Sequence, residues 1–194
     1  MRVNRASLLL AGPPVIRERP WSVPDLLRQD PGVVPDERVR QFWDEFCAVS
    51  GTEPSALTAV EAFGDSPVVA DELVALVLAG TKRATVALLS DFSRTGTAVP
   101  VPGDLWIAVD GQGRPACVLR TVQVRVGPLD SVDASFAEDE GEGERTVEWW
   151  LAAHRRFFRR QAERAGAAFD EAAEPVVFER FEVAHIRAPE PPTG

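Results

Sequence analysis

"LWIAVDGQGRPACVLRTVQVRV", residues 105–126, decides the fold. Two apolar, β-branched runs flank "DGQG" (110–113), whose glycines and aspartate supply the positive φ and local hydrogen bonding that a tight reversal requires. The spacing predicts an antiparallel hairpin. A lone hairpin is barely stable in water, so further strands and helices must cover it. On the C-terminal side, "PVVFERFEVAH" (175–185) reads as one more strand. On the N-terminal side, a loop rich in Gly, Pro and Ser, "SDFSRTGTAVPVPGD" (90–104), separates the hairpin from helical sequence.

That helical sequence starts at Ser66, a good N-cap, with Pro67 at the first helical position, where its missing N–H costs nothing. Val69, Leu73, Leu76 and Val77 make an apolar stripe, and Gly80 supplies a left-handed stop. An earlier helix begins near Asp36 and presents Val39, Phe42, Phe46 and Cys47 on one face until Gly51. Between the two lies "TEPSALTAVEAF" (52–63), a connecting segment with an early proline. A later helix, roughly 146–165, aligns Val147, Trp150, Leu151, His154, Phe157, Phe158 and Gln161, with Arg155, Arg156, Arg159 and Arg160 opposite. The segments before it, "LDSVDASFAEDEGEGE" (129–144), read as an acidic loop.

Helices around a few apolar, mainly antiparallel strands predict an α+β protein, or a small β-barrel with helices at its ends. A dinucleotide-binding fold is disfavoured, since G-x-G-x-x-G and the regular strand–helix alternation are both missing. The expected organisation is an irregular, proline-rich extension over 1–34, a helical leader over 35–59, the main domain over 60–186 and a tail over 187–194.

Composition limits function. With 194 residues, 45% of them hydrophobic, the chain can bury a real core. A formal net charge of -9 argues against coating long nucleic acid, because such binding neutralises many phosphates. A small basic pocket or a nucleoside-sized ligand stays open. Cys47 and Cys117 lie far apart without a C-x-x-C, and only His154 and His185 accompany them, so neither a disulfide framework nor a metal site is expected, and no cofactor. The start "MRVNRASLLLAGPPV" imitates a secretory signal only faintly, and no run reaches membrane-span length. A cytoplasmic protein is the simpler expectation.

The chemical question sits in "GTKRAT" (80–85). Lys82 in a dry pocket could serve as a base, with the Thr85 hydroxyl as nucleophile. The ordinary alternative is a solvated lysine at a helix C-terminus. Residues three apart on a strand face opposite ways, so the pair converges only if 81–85 turns. Glu138, Glu140 and Glu142 offer an acid, if Gly141 and Gly143 bend the chain over a pocket, or merely an exposed acidic loop. Asp104 reads as a turn former. Trp149, off the main stripe, could stack on a base or cover the barrel rim. The arginines of the last helix could touch phosphates or neutralise the acidic loop before them. His154, on the apolar face, reads first as a core histidine and second as a catalytic one.

Taken together, "FGDSPVVADELVALVLAGTKRAT", the hairpin with its acidic continuation, "EWWLAAHRRFF" and "VVFERFEV" resemble an ASCH domain, of the PUA-like superfamily, over roughly residues 60–185. The helix carrying Phe42, Trp43 and Phe46 resembles the leader of longer members. The resemblance implies an α+β fold, a PUA-like small β-barrel of about five or six mainly antiparallel strands with flanking helices, and a cleft that recognises RNA, a nucleotide or a modified nucleoside. Some members are amidohydrolases acting on acetylated cytidine and others resemble ribonucleases, while an adaptor without catalysis is a further alternative. The amidohydrolase motif G-x-K-x-x-T matches Lys82 as base and Thr85 as nucleophile. Glu140 is the nearest match for the proton donor, with Glu142 as fallback. Gly80, Arg83, Arg94, Asp104, Trp149 and Arg156 complete the expected ligand-binding set. The broader motif G-x-K-x-x-x-x-R is incomplete, since its last position is Ala87, and Arg83 or Arg94 would have to substitute. The chain has no tyrosine to supply the hydroxyl that longer members often carry after the lysine segment.

Overall fold

The computed structural model describes residues 35–187; the proline-rich extension and the tail beyond Arg187 lie outside the described residues. The elements, in chain order, are α1 (Pro35–Ser50), β1 (Leu57–Ala62), α2 (Pro67–Leu78), β2 (Ala84–Leu88), α3 (Leu89–Thr95), β3 (Leu105–Val109), β4 (Pro115–Gly127), α4 (Ala134–Glu140), α5 (Val147–Arg164) and β5 (Val176–Ile186). The five strands form one sheet in the order β1-β3-β4-β5-β2. It curls as a PUA-like small barrel does, in an α+β arrangement. Three pairings are antiparallel, and β1 runs parallel to β3.

The hairpin forms as its sequence predicts. Asp110 anchors the turn, its carboxylate accepting from the N–H groups of Gln112 and Arg114. Strand β3 is buried throughout, and its period of two divides the core. Leu105, Ile107 and Val109 meet Phe42, Trp43 and Phe46 of α1. Trp106 and Ala108 meet Phe63 and the α2 residues Val74 and Val77, with Leu119 and Phe181. Burying each large apolar side chain contributes about 1.5–3 kcal/mol, so α1 is held by three such anchors. A third cluster joins Phe136 of α4, Trp150 and Phe158 of α5, and Phe178 of β5.

Three segments differ from the sequence expectation. "LTAVEA" is a strand although alanine and glutamate favour helices; parallel pairing with β3 overrides local propensity. The segment after β2 contains α3, stopped by Gly96 at φ 70°. The acidic stretch is not a loop at its centre: residues 134–140 are helical, capped by Asp133, whose carboxylate accepts from the Phe136 N–H.

Candidate functional site

Helix α2 ends in a Schellman motif. Gly80, at φ 74°, donates to the Val77 carbonyl and Thr81 to the Leu76 carbonyl, which also receives the Lys82 N–H. The chain therefore turns inward at Lys82 before β2 begins. Arg83 then ties its N–H to the Asp139 carbonyl and its carbonyl to the Phe181 N–H, fastening the segment to α4 and β5. The solvated C-cap reading of Lys82 is corrected: its side chain is 1% exposed.

Opposite lies the end of α4. Gly141, at φ 71°, is the position where the two segments touch, since a Cβ there would stand 2.5 Å from the Thr81 carbonyl oxygen. This close approach brings Lys82 Nζ against Glu140 Oε2, and against Glu142 Oε1 at 2.7 Å. Phe63 offers its ring face to the ammonium at 5.5 Å. His154 of α5 completes the cluster, with Nε2 3.7 Å from Glu140 Oε1.

The cluster's electrostatics follow from dryness and contact. Burial pushes the Glu140 carboxyl up to about 7; Lys82 opposes the rise, and the adjoining Glu142 carboxylate adds to it by its charge and a shared hydrogen bond. Burial also works against charge on Lys82 and Glu142, but Lys82 is held above its ordinary value by Glu140 and then Glu142, and Glu142 below its own by Lys82. Burial drives His154 down to about 4.

Lys82, Thr85, Glu140, Glu142, His154 and Arg156 line a cavity of about 240 Å³. It shares Phe63, Gly64, Thr85, Val86 and Phe157 with a larger cavity of about 500 Å³, which occupies the gap between the edge strands β1 and β2. The larger compartment is walled by apolar groups, with Trp106 and Phe92, and by the carboxylates Glu61, Asp91, Asp104 and Glu179. Glu179 Oε1 accepts from the Trp106 indole at 3.2 Å and from the Thr121 hydroxyl at 2.6 Å. The combined cleft is of a size for a small organic ligand.

The remaining sequence candidates lie at varied distances from this centre. Gly80 shapes the turn and is exposed. Arg83 pairs with Asp139 at 2.7 Å. Arg94 pairs with Asp91 at 2.6 Å, steadying a carboxylate of the larger cavity. Asp104 lines that cavity while accepting from the Val101 N–H. Trp149 lies against Gly143, leaving no room for a Cβ there. Of the α5 arginines, Arg155 pairs with Glu171 and also feels Asp130 of the acidic stretch, while Arg160 pairs with Asp65. His154 belongs to the site, and so does Glu179, which sequence reasoning missed. Glu179 had one signal: a glutamate inside the apolar "VVFERF" strand breaks the pattern. Among the described residues, no group of three or more His, Cys, Asp or Glu is placed to hold a metal ion, and no helix is long and apolar enough to cross a membrane.

The ASCH domain family model matches residues 59–185. The chain belongs to the ASCH domain family. Among solved structures it is similar to an ASCH domain from Lactobacillus crispatus, with 29% identity and a TM-score of 0.69 over 80% of this chain and 98% of that one. It is also similar to the Enterococcus faecalis protein EF3133, at 29% identity and a TM-score of 0.70, over 77% of this chain and 90% of that one. Among curated proteins, none matches. The match runs from within β1 to the penultimate residue of β5 and includes the lining of the cleft apart from Leu57 and Thr58.

Proposed function

We propose that this ASCH protein, a longer member with a helical leader acting in the cytoplasm, binds a nucleoside-class ligand in the cleft between β1 and β2. One observation carries the reading: a dry polar cluster of Lys82, Glu140 and Glu142 opens, through Thr85, into an apolar compartment. A planar base fits such a division, with its edge on polar groups and its faces on apolar ones. Phosphate does not suit the larger compartment, whose charged walls are all carboxylates among the described residues. A nucleoside should therefore bind better than long RNA. Calorimetric titration with nucleosides, a short oligonucleotide and a long duplex RNA, each at low and high salt, tests this. Salt-insensitive nucleoside binding that is lost in Lys82→Ala is expected; tight, salt-insensitive binding to duplex RNA would overturn it.

A second reading, hydrolysis of an acylated nucleoside, is favoured by Glu140, a carboxyl that titrates near neutrality beside Lys82 and Thr85 in one pocket. Here Lys82, an ammonium in the resting cluster, first passes a proton to Glu142, and the neutral amine then takes the Thr85 hydroxyl proton as the oxygen attacks the acyl carbon. The carbon–nitrogen bond then breaks, and the Glu140 acid gives its proton to the departing amine; water afterwards frees the acyl group from Thr85. Acetate release from acetylated cytidine, compared across wild type, Lys82→Ala and Thr85→Ser, separates this reading from binding alone. Turnover should vanish in the first variant and persist in part in the second. Binding without any wild-type acetate release would sink it.

A further inference from the structure

The two carboxyl oxygens of Glu140 keep different company. Oε2 faces the Lys82 ammonium, whereas Oε1 is buried and has no hydrogen-bond partner. The polar atom facing Oε1 is His154 Nε2, at 3.7 Å. What Nε2 can do is fixed by the other ring nitrogen. Nδ1 lies 2.9 Å from the Trp150 carbonyl oxygen, an acceptor with no hydrogen to give, so Nδ1 carries a proton. Stacking on the Trp150 indole, with centroids 3.9 Å and planes 22° apart, holds the ring at this angle. A neutral imidazole so oriented turns a bare lone pair towards Glu140. Two bare acceptors then confront each other in a dry site unless a proton lies between them.

The charge balance leads to the same place. Lys82 brings one positive charge, and two ionised glutamates would leave a buried excess of negative charge. The surrounding ions do not relieve it. Arg156 and Arg160 of α5 stand at the cavity wall, the latter paired with Asp65, which also takes Arg164. Asp139 of α4 is turned to Arg83 and Arg180. One proton on the cluster makes it neutral.

We propose that His154 is a positioning residue, whose Nε2 accepts from a proton on Glu140 Oε1, so that Glu140 stays a neutral carboxylic acid while Glu142 is the counter-ion of Lys82. A carboxyl rotation of about 1 Å brings the two atoms within hydrogen-bond range. Glu140 raised to about 7 and His154 lowered to about 4 are shifts in the directions this arrangement requires. The catalytic consequence rests on the hydrolytic reading above: the acid needed by the leaving amine is loaded before substrate arrives. The location of the proton does not, and it is read without any ligand.

The test uses the full chain with isotope-labelled histidine and glutamate, followed by NMR between about pH 5 and pH 8. His154 should remain the Nδ1–H tautomer, with Nε2 unprotonated, and the Glu140 carboxyl carbon should titrate near neutrality. In His154→Phe the ring that stacks on Trp150 is kept but the acceptor is gone, so the proton on Oε1 loses its partner and the proton affinity of Glu140 should fall about tenfold. Protonation of both His154 nitrogens at neutral pH, a Glu140 midpoint in the ordinary carboxylate range, or unchanged Glu140 affinity in the variant would each overturn the proposal. Should the variant fail to fold, the wild-type tautomer and titration decide alone. Loss of the ligand or turnover results with these NMR results intact would remove the proposed function and leave the proton where we place it.

Discussion

Glu140→Gln replaces the acid by an amide of nearly the same shape. If Glu140 is neutral in the folded chain, the amide is its permanent mimic, accepting from Lys82 through oxygen and donating to His154 through nitrogen. The carboxyl has an ordinary value of 4.5 and is pushed up to about 7 on folding. Between those limits the folded chain holds a proton that the unfolded chain has released, so this group's contribution to stability falls as pH rises. At 1.36 kcal/mol per tenfold change in proton affinity, the loss is on the order of 3 kcal/mol. His154, lowered from 6.5 to about 4, acts in the opposite direction over an overlapping interval and masks this loss in the wild type. The variant removes Glu140's share alone. Urea unfolding of both chains at a series of pH values from about 4.5 to about 7.5 measures the difference. We expect the variant to gain on the wild type steadily, by about 3 kcal/mol across the series. If Glu140 is instead the ionised partner of Lys82, removing its charge breaks a buried pair and costs about 3–5 kcal/mol at neutral pH. A variant less stable than wild type by that amount at neutral pH would refute the reasoning.

Thr121→Val removes the hydroxyl bonded to Glu179 at 2.6 Å and should cost about 1.5–3 kcal/mol, the range for a hydrogen bond to a charged group, read by the same urea series at constant pH. Gly141→Ala drives a methyl group into the Thr81 backbone at a positive φ, so it should destabilise by about 1–3 kcal/mol and, by parting Lys82 from Glu140, weaken nucleoside binding in calorimetry.

The hairpin, α2 with its caps, and β5 were legible because their signals are local: Asp110 and the glycines at the turn, Ser66 and Pro67 at one helix end, Gly80 at the other. β1 was not, because the reason for "LTAVEA" to be extended lies in β3, far along the chain. Helix α4 was hidden by its charge; its signals were Asp133 and Gly141, one at each end of the helix, within an acidic run that reads as solvated. Lys82, Thr85 and Glu140 could be nominated by type and motif. Their environment could not, because no rule along the chain says that Thr81 and Gly141 meet backbone to backbone. His154 reads as core from its helix face, and it is buried; its partner Glu140 belongs to another helix, across a turn whose course the sequence does not dictate.

The strand order has a consequence for synthesis. β1 and β2 are made early, yet they sit at opposite margins of the sheet, and within the sheet β2 pairs only with β5, the last strand. Phe181 of β5 also donates its N–H to the Arg83 carbonyl, fixing the Lys82 segment. A chain still on the ribosome, with β5 inside the exit tunnel, can form the hairpin and dock α1 but has no strand for β2 to pair with, although α4 already offers the Asp139 carbonyl to Arg83. The larger cavity therefore lacks part of its wall until β5 emerges, because Val177 and Glu179, which line it, belong to that strand.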